Sequence, residues 1–411
     1  MTLRPVLLPQ HPDRAAIHAE AHARPPMPIA SERSEAWHWV LYDAPVDPRY
    51  WPRTFNPEAF HQLIECKDGV LRLERHTEFV ALTFFGEKPP CPETMTLIAG
   101  CPGQQMAGAR VVVAPESGEL IAALFGESRL FGGEALFPGI FIHTDFAVGE
   151  QGLVTFLVTG VFEDDYSRGR LVKRLLDVET YRMASLLALP LVRSMAPQLP
   201  DLERRASLAT RRLTDEPDRL NEVIADLAEI LKNCALLRDQ TRFRIAAALA
   251  YDDLVTDRLN GLDETPVGQR QTLRGFIQHR LAPGMQSVRA FERRQDELAD
   301  EVTAALALAR TQLDHTTQRQ SQALLASMET RARQQVHLAQ AVEGLSVAAI
   351  TYYSIGLLSY VLHAIPPFGI DDTLIEALAI VPIAVIAALI TRRMRKAVEK
   401  MDVADQSPGA Q

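Results

Sequence analysis

The sequence predicts an α+β protein: an N-terminal mixed or antiparallel sheet domain, a long coiled-coil-like helical stalk, and a C-terminal two-helix transmembrane hairpin. Three observations predict it. Short apolar runs bounded by Gly, Pro and acidic residues crowd residues 36–162, helical periodicity takes over after Asp164, and two long apolar runs lie near the end of the chain. The boundaries that follow are 1–165 for a cytoplasmic α+β domain, 166–284 for a helical domain, 285–343 for a stalk helix, 344–396 for the hairpin, and 397–411 for a cytoplasmic tail.

In the first region, VLRLERHTEFVALTFF (Val70–Phe85) alternates apolar and polar positions and then becomes continuously apolar, the pattern of a strand entering a sheet interior. TMTLIAG, ARVVVAP, LIAALFG, GIFIHTDFAV and LVTFLVTGVF follow as further strand candidates, each closed by a turn signal. Beyond Asp164, Leu171, Leu175, Val178, Met183, Leu186 and Leu187 fall at helical spacing. Asp201–Leu213 and Asp218–Asn260 continue as helices. Thr272–Leu281 reads as a short helix stopped by Pro283-Gly284.

From Met285 to Gly344 there is neither proline nor glycine, and Ala299, Val302, Leu306, Ala309, Leu313, Thr316 and Gln320 trace a seam spaced by threes and fours. A helix running on through the first apolar run is roughly 75 residues and on the order of 110 Å long. Its apolar stripe needs a partner, and Asp218–Asn260 or a second subunit can supply it.

The first apolar run, Leu345–Ile365, is 21 residues without an acidic or basic side chain other than His363. At 1.5 Å per residue it matches the ~30 Å hydrocarbon core. The second, Leu374–Ile390, has 17 residues, with Glu376 at its entrance and Pro382 inside. Arg392, Arg393, Arg395 and Lys396 follow it, whereas the connecting loop has Asp371 and Asp372 and no basic residue. The positive-inside rule then leaves both termini cytoplasmic, a multi-pass protein of the cytoplasmic membrane with the lipid bilayer as partner. Gly344, Tyr352, Tyr353, Gly356 and Glu376 are the candidate residues of the transmembrane interface, the small ones permitting close helix contact in a homo-oligomer.

Composition narrows the function classes. A net charge of -9 argues against nucleic acid as a partner. Cys66, Cys91, Cys101 and Cys234 are scattered without a Cys-x-x-Cys pair, so neither a zinc site nor a disulfide framework is assigned. The opening MTLRPVLLPQHPDR lacks the apolar stretch of an export signal.

Few motifs carry chemistry. His18 and His22 lie four apart on one helix face with Glu20 between them, which is not the zinc-protease order; the plainer reading is a polar helix end stopped by Pro25-Pro26. In Glu74-Arg75-His76-Thr77-Glu78, strand alternation puts Glu74, His76 and Glu78 on one face, either a polar site or a solvated surface. His22, Arg24, Arg75, His76 and Glu78 are the candidate ligand-binding residues, with no cofactor or catalytic residue assigned. His143-Thr144-Asp145 offers a base with an orienting carboxylate but no nucleophile. Arg204, Arg205, Arg211 and Arg212 form a basic patch among acidic neighbours.

Several stretches together resemble the bacterial membrane-anchored family known as domain of unknown function 3422: HAEAHARPP (18–26), LERHTEF (73–79), GRLVKRLLDVETYRMASLLALP (169–190) and LLASMETRARQQVHLAQAVEGLSVAAITYYSIGLLSY (324–360). The resemblance implies a bacterial cytoplasmic-membrane protein without assigned biochemistry. It adds weight to His22, Arg24, Pro25, Arg75, His76 and Glu78 and transfers no catalytic role. The layout is also similar to CorA-type magnesium channels, but their Gly-Met-Asn is replaced here by Tyr360-Val361-Leu362-His363-Ala364-Ile365. The expected function is a membrane-anchored scaffold or regulatory protein that couples a ligand- or partner-binding domain to the membrane. An ion transporter and a membrane-tethered hydrolase using His22, His76 and Glu78 stand as alternatives.

Overall fold

The computed structural model describes residues 9–21, 24–115, 118–363 and 372–405, and divides into two compact units, Met1–Ala309 and Arg310–Gln411. The first unit is α+β. After a short helix α1 (Arg14–Ala21), the described strands form one seven-stranded sheet: β1 (Ser34–Tyr42), β2 (His61–Cys66), β3 (Gly69–Arg75), β4 (Phe79–Gly86), β5 (Gln104–Ala114), β6 (Phe141–His143) and β7 (Val154–Thr159). Their order is β2-β3-β4-β1-β5-β7-β6, antiparallel except where β5 and β7 run parallel.

Strand alternation sorts the two faces of this sheet. On one face Trp37, Trp39, Leu41, Leu71, Leu73, Leu82 and Phe84 form an apolar core with Trp51, Phe55 and Ile64. Helix α2 (Pro92–Ala99) closes it through Ile98. The opposite face packs against α4 (Asp165–Leu186), and there alternation delivers Arg72, Glu74, His38 and Thr83, all buried. A sheet face this polar under a helix stands only if its groups find partners.

Three strand expectations are corrected. Val70–Phe85 is not one strand: it breaks into β3 and β4 at a tight turn, where His76 N–H donates to the Phe79 carbonyl at 2.9 Å. Thr94–Gly100 is helix α2, because Pro92 at its first turn and Glu93 beside it start a helix where the apolar run alone reads as strand. Leu120–Gly126 falls on helix α3 (Gly118–Phe125), whose Leu120, Ile121, Leu124 and Phe125 cover Val112 and Leu157 of the sheet.

The helices continue as α5 (Ala188–Met195), α6 (Leu199–Asp215), α7 (Leu220–Asn260) and α8 (Leu273–His363). Pro283 does not stop α8 as expected; the helix runs through it. Next to it, Gly284 lets Leu189 of α5 approach, since a Cβ there would stand 3.0 Å from Leu189 Cδ1. Up to Ala309 the expected seam is buried at Val302, Leu306 and Ala309. Just before the seam α8 meets α7: Arg289 pairs with Asp252 at 2.7 Å, and Gln295 meets Thr241 at 3.3 Å.

In the second unit, α8 is exposed from residue 314 to 342. The stretch ending at Val361 makes it the one helix, among the described residues, long and apolar enough to cross a membrane. The last helix, α9 (Asp372–Asp405), carries the second expected span at 374–390, but its described part does not meet that measure. The seventeen residues of that span contain Glu376 and Pro382 and stand at the lower end of the length a crossing needs.

Candidate functional site

The site is built on the N-terminal segment that follows α1. Arg24 donates from Nη2 to the Arg75 carbonyl at 2.6 Å, and Arg72 donates from Nη1 to the Pro25 carbonyl at 3.0 Å. Further along, Ile29 N–H donates to the Asp165 carbonyl at 3.2 Å, and Arg168 donates to the Ile29 carbonyl. Gly169 is the one residue type that fits where α4 meets this segment, because any Cβ would collide with the Met27 carbonyl. The strap is therefore held to the sheet by arginines and to α4 by close backbone contact.

Beneath the strap lies a line of alternating charges. Arg72 pairs with Glu74 at 3.2 Å, Glu74 faces Lys173 at 3.8 Å, Lys173 pairs with Asp177 at 3.1 Å, and Asp177 with Arg258 at 3.0 Å. The line crosses from β3 through α4 to the end of α7. The Arg72 and Glu74 side chains are only 2% and 3% exposed, so water does little to screen them. The same burial, with Lys173 and Arg72 nearby, pushes the pKa of His38 down to about 3. Its ring sits between Thr83 Oγ1 at 2.8 Å and Thr180 Oγ1 at 2.9 Å. Thr180 spends its single proton on the Leu176 carbonyl, so it accepts from His38 Nε2–H, and Thr83 donates to Nδ1.

Beside the strap opens a cleft of about 520 Å³, whose lining includes Glu20, Arg24, Asp43, Arg75, His76 and Glu78 together with Phe60 and Phe243. The Arg75 guanidinium lies 4.8 Å over the Phe60 ring. His76 stacks on Phe79 at 4.3 Å, and burial, then Arg24, Lys173 and Arg72, push its pKa down to about 3. Such an imidazole stays neutral at pH 7, well below the range in which a general base works best. Glu78 is tied down: Arg244 Nη2 donates to its Oε2 at 2.7 Å and Tyr251 OH at 2.8 Å, both from α7. Burial and the adjacent Glu78 raise the Tyr251 phenol in turn. Arg24 Nε and Arg244 Nε and Nη1 are buried without a hydrogen-bond partner in the structure.

The structure thus brings Arg24, Arg75, His76 and Glu78 to one cleft, although His76 and Glu78 belong to a hairpin turn rather than one strand face; His22 lies outside the described residues. The alternation argument also misjudged Glu74, which is buried against α4. Sequence reasoning missed Arg244 and Tyr251, which come from 166 and 173 residues away and leave no local signal. It also missed Arg72, although a charged residue between Leu71 and Leu73 in a largely apolar strand was the clue.

Elsewhere, the expected dyad at His143 does not form. His143 Nδ1 meets Arg270 at 2.7 Å and Nε2 meets Thr159 at 3.2 Å, whereas the Asp145 carboxylate accepts from Ala147 N–H in its own turn. Burial and Arg270 lower the His143 pKa to about 4. The basic patch is largely neutralised: Arg204 pairs with Asp201, Arg205 with Glu229, and Arg212 with Asp226. In the second unit Tyr352 and Tyr353 are exposed, with ring centroids 5.7 Å apart, and a Cβ added at Gly344 or Gly356 would meet nothing within 4 Å. Glu376 lies on α9, its side chain outside the described set. Among the described residues no group of three His, Cys, Asp or Glu side chains is placed to hold a metal ion.

One family model, described as a protein of unknown function (DUF3422), matches residues 9–398. No curated protein matches the chain.

Proposed function

The chain belongs to the DUF3422 family, and we propose that it is a membrane-anchored binding protein in which the cleft beside Arg24 captures a small zwitterion with an apolar body, of the amino-acid class. Arg24 and Arg75 supply the cationic side of the cleft, Glu20 and Asp43 the anionic side, and Phe60 and Phe243 the apolar wall. The carrying observation is the fixing of Glu78, inside the cleft, by Arg244 and Tyr251 of α7. Helix α7 in turn holds α8 through Asp252–Arg289. A ligand that pulls on Glu78 therefore acts on the long helices, which is what a regulatory protein needs and a bare anchor does not.

In this reading α8 and α9 insert as a multi-pass hairpin in the bacterial cytoplasmic membrane, with both termini cytoplasmic and the chain assembled as a homo-oligomer. The apolar stretch ending at Val361 and the arginines after residue 390 support it. Two measurements test the proposal. The full-length protein, purified in detergent, is screened by thermal shift against the free amino acids; a stabilising member whose effect disappears in Arg75→Ala supports the cleft, and a panel without any effect removes the ligand class. Recovery of the full-length protein in the soluble fraction of lysed cells without detergent removes the anchoring.

A further inference from the structure

Two residues beyond Arg24 the strap borders a second cleft, of about 340 Å³, lined by Pro26, one face of α4 and the C-terminal end of α7. Arg170, Lys173, Arg174 and Asp177 are spaced by three, four and seven along α4, so they share that face. Asp257 and Arg258 stand opposite on α7.

The charges do not balance. Four cations, Arg170, Lys173, Arg174 and Arg258, line the cleft with two carboxylates, Asp177 and Asp257. Both carboxylates are already engaged: Asp177 by Lys173 at 3.1 Å and Arg258 at 3.0 Å, and Asp257 by Arg258 at 2.6 Å. Arg170 donates to the Ser167 hydroxyl at 2.8 Å and Arg174 to the Gly261 carbonyl, so both spend bonds on neutral acceptors. Capping the end of α7 accounts for one edge of Arg174. It does not account for a second arginine one turn away, nor for the remaining donors of either guanidinium. Burial, then Arg170 and Arg258, lower the pKa of Arg174, with Asp257 opposing them, so these guanidiniums repel one another across the cleft. Gly261 makes room for this arrangement, since a Cβ there would stand 3.3 Å from Arg174 Cζ.

We propose that this second cleft binds a phosphoryl oxyanion between Arg170 and Arg174, with Arg258 on the facing wall. Planar guanidiniums match phosphoryl oxygens in geometry as well as charge, and an oxyanion there serves Arg170 and Arg174, which form no ion pair among the described residues. The volume lies near the lower end of ligand pockets and suits a small group. The phosphoryl group comes either from a soluble phosphate, a dianion, or from a lipid headgroup, a phosphodiester monoanion, and each offers free phosphoryl oxygens to the two guanidiniums.

The test is calorimetric titration of the full-length protein in non-ionic detergent with inorganic phosphate at fixed ionic strength, and, in parallel, flotation with phosphatidylglycerol or phosphatidylcholine vesicles. Saturable phosphate binding, weakened roughly tenfold or more in Arg170→Gln and in Arg174→Gln and unchanged in Arg193→Gln, assigns a soluble phosphate. Absence of phosphate binding, together with preference for phosphatidylglycerol vesicles that Arg170→Gln removes, assigns a headgroup. Binding equal in Arg170→Gln and wild type, binding weakened as much by Arg193→Gln, or no binding in either arm overturns the proposal. Arg170 is exposed, so its variant does not depend on refolding a core. Arg75→Ala leaves phosphate binding intact, which separates this site from the zwitterion cleft.

Discussion

Glu74 neutralises two cations in a place that water does not reach, and its replacement by glutamine isolates that role. At an effective dielectric of about 20, the attraction to Arg72 across 3.2 Å is about 5 kcal/mol gross, and that to Lys173 across 3.8 Å about 4 kcal/mol. Desolvation offsets most of this in the intact pair. In Glu74→Gln the two cations fare differently: Lys173 keeps Asp177 at 3.1 Å, whereas Arg72 keeps neutral partners, the Pro25 carbonyl and the face of Phe85, and loses its carboxylate. Leaving Arg72 buried and unpaired costs about 3–5 kcal/mol. For a unit of this size that lowers the melting temperature by roughly 5–10 °C. Removing both charges in Arg72→Met/Glu74→Gln recovers stability to within about 1 kcal/mol of wild type, because no charge is left stranded. The assay is thermal unfolding of the full-length protein in detergent, followed by near-UV circular dichroism to report the Trp37–Trp39 core. A loss below about 1 kcal/mol in the single variant, or a double variant as unstable as the single, refutes the reasoning.

Three further outcomes follow. His38 titrates at about 3 when folded against 6.5 for the free side chain, so between these values the unfolded chain binds the proton and the native one does not. Stability is complete above the unfolded value and falls as pH drops toward 3, by about 2 kcal/mol at pH 5 from this residue alone; melting temperatures that stay level from pH 7 to pH 5 contradict it, and His38→Gln makes the profile shallower by that share, while His76 and His143, also lowered by burial, keep theirs. Gly169→Ala forces the strap off α4 at Met27, at a cost of about 1–3 kcal/mol, with faster proteolysis near residues 24–29 as the readout. Pro283→Ala restores a backbone donor inside α8 and raises the melting temperature, by an amount corresponding to about 1–3 kcal/mol, because nothing in the fold requires a break there.

The α+β class was legible because it rests on periodicity. The turn-bounded apolar runs at β5 and β7 and the helical spacing of α4, α6 and α7 belong to the chain itself, and the seam at Val302, Leu306 and Ala309 was found by counting. Where periodicity is short it misled. Thr94–Gly100 and Leu120–Gly126 are apolar runs of seven, too brief to tell strand from helix, and Pro92 or a neighbouring sheet decides them. The hairpin at His76–Glu78 was hidden because the apolar pattern continues on both sides of the turn.

The candidate cleft was half legible. Arg24, Arg75, His76 and Glu78 stood out as ionisable residues within the stretches that carry the family resemblance, His76 and Glu78 also by strand alternation. What fixes their chemistry was not. His76 is neutral because of burial and three cations drawn from the strap, β3 and α4, and Glu78 is locked by residues more than 160 positions away. The sequence by itself determined which faces of strands and helices are apolar, because side-chain direction alternates or rotates with a fixed local period. Only the tertiary structure decided which charges share a dry interface, since an ion pair such as Arg244–Glu78 depends on a distance through space that no local pattern encodes.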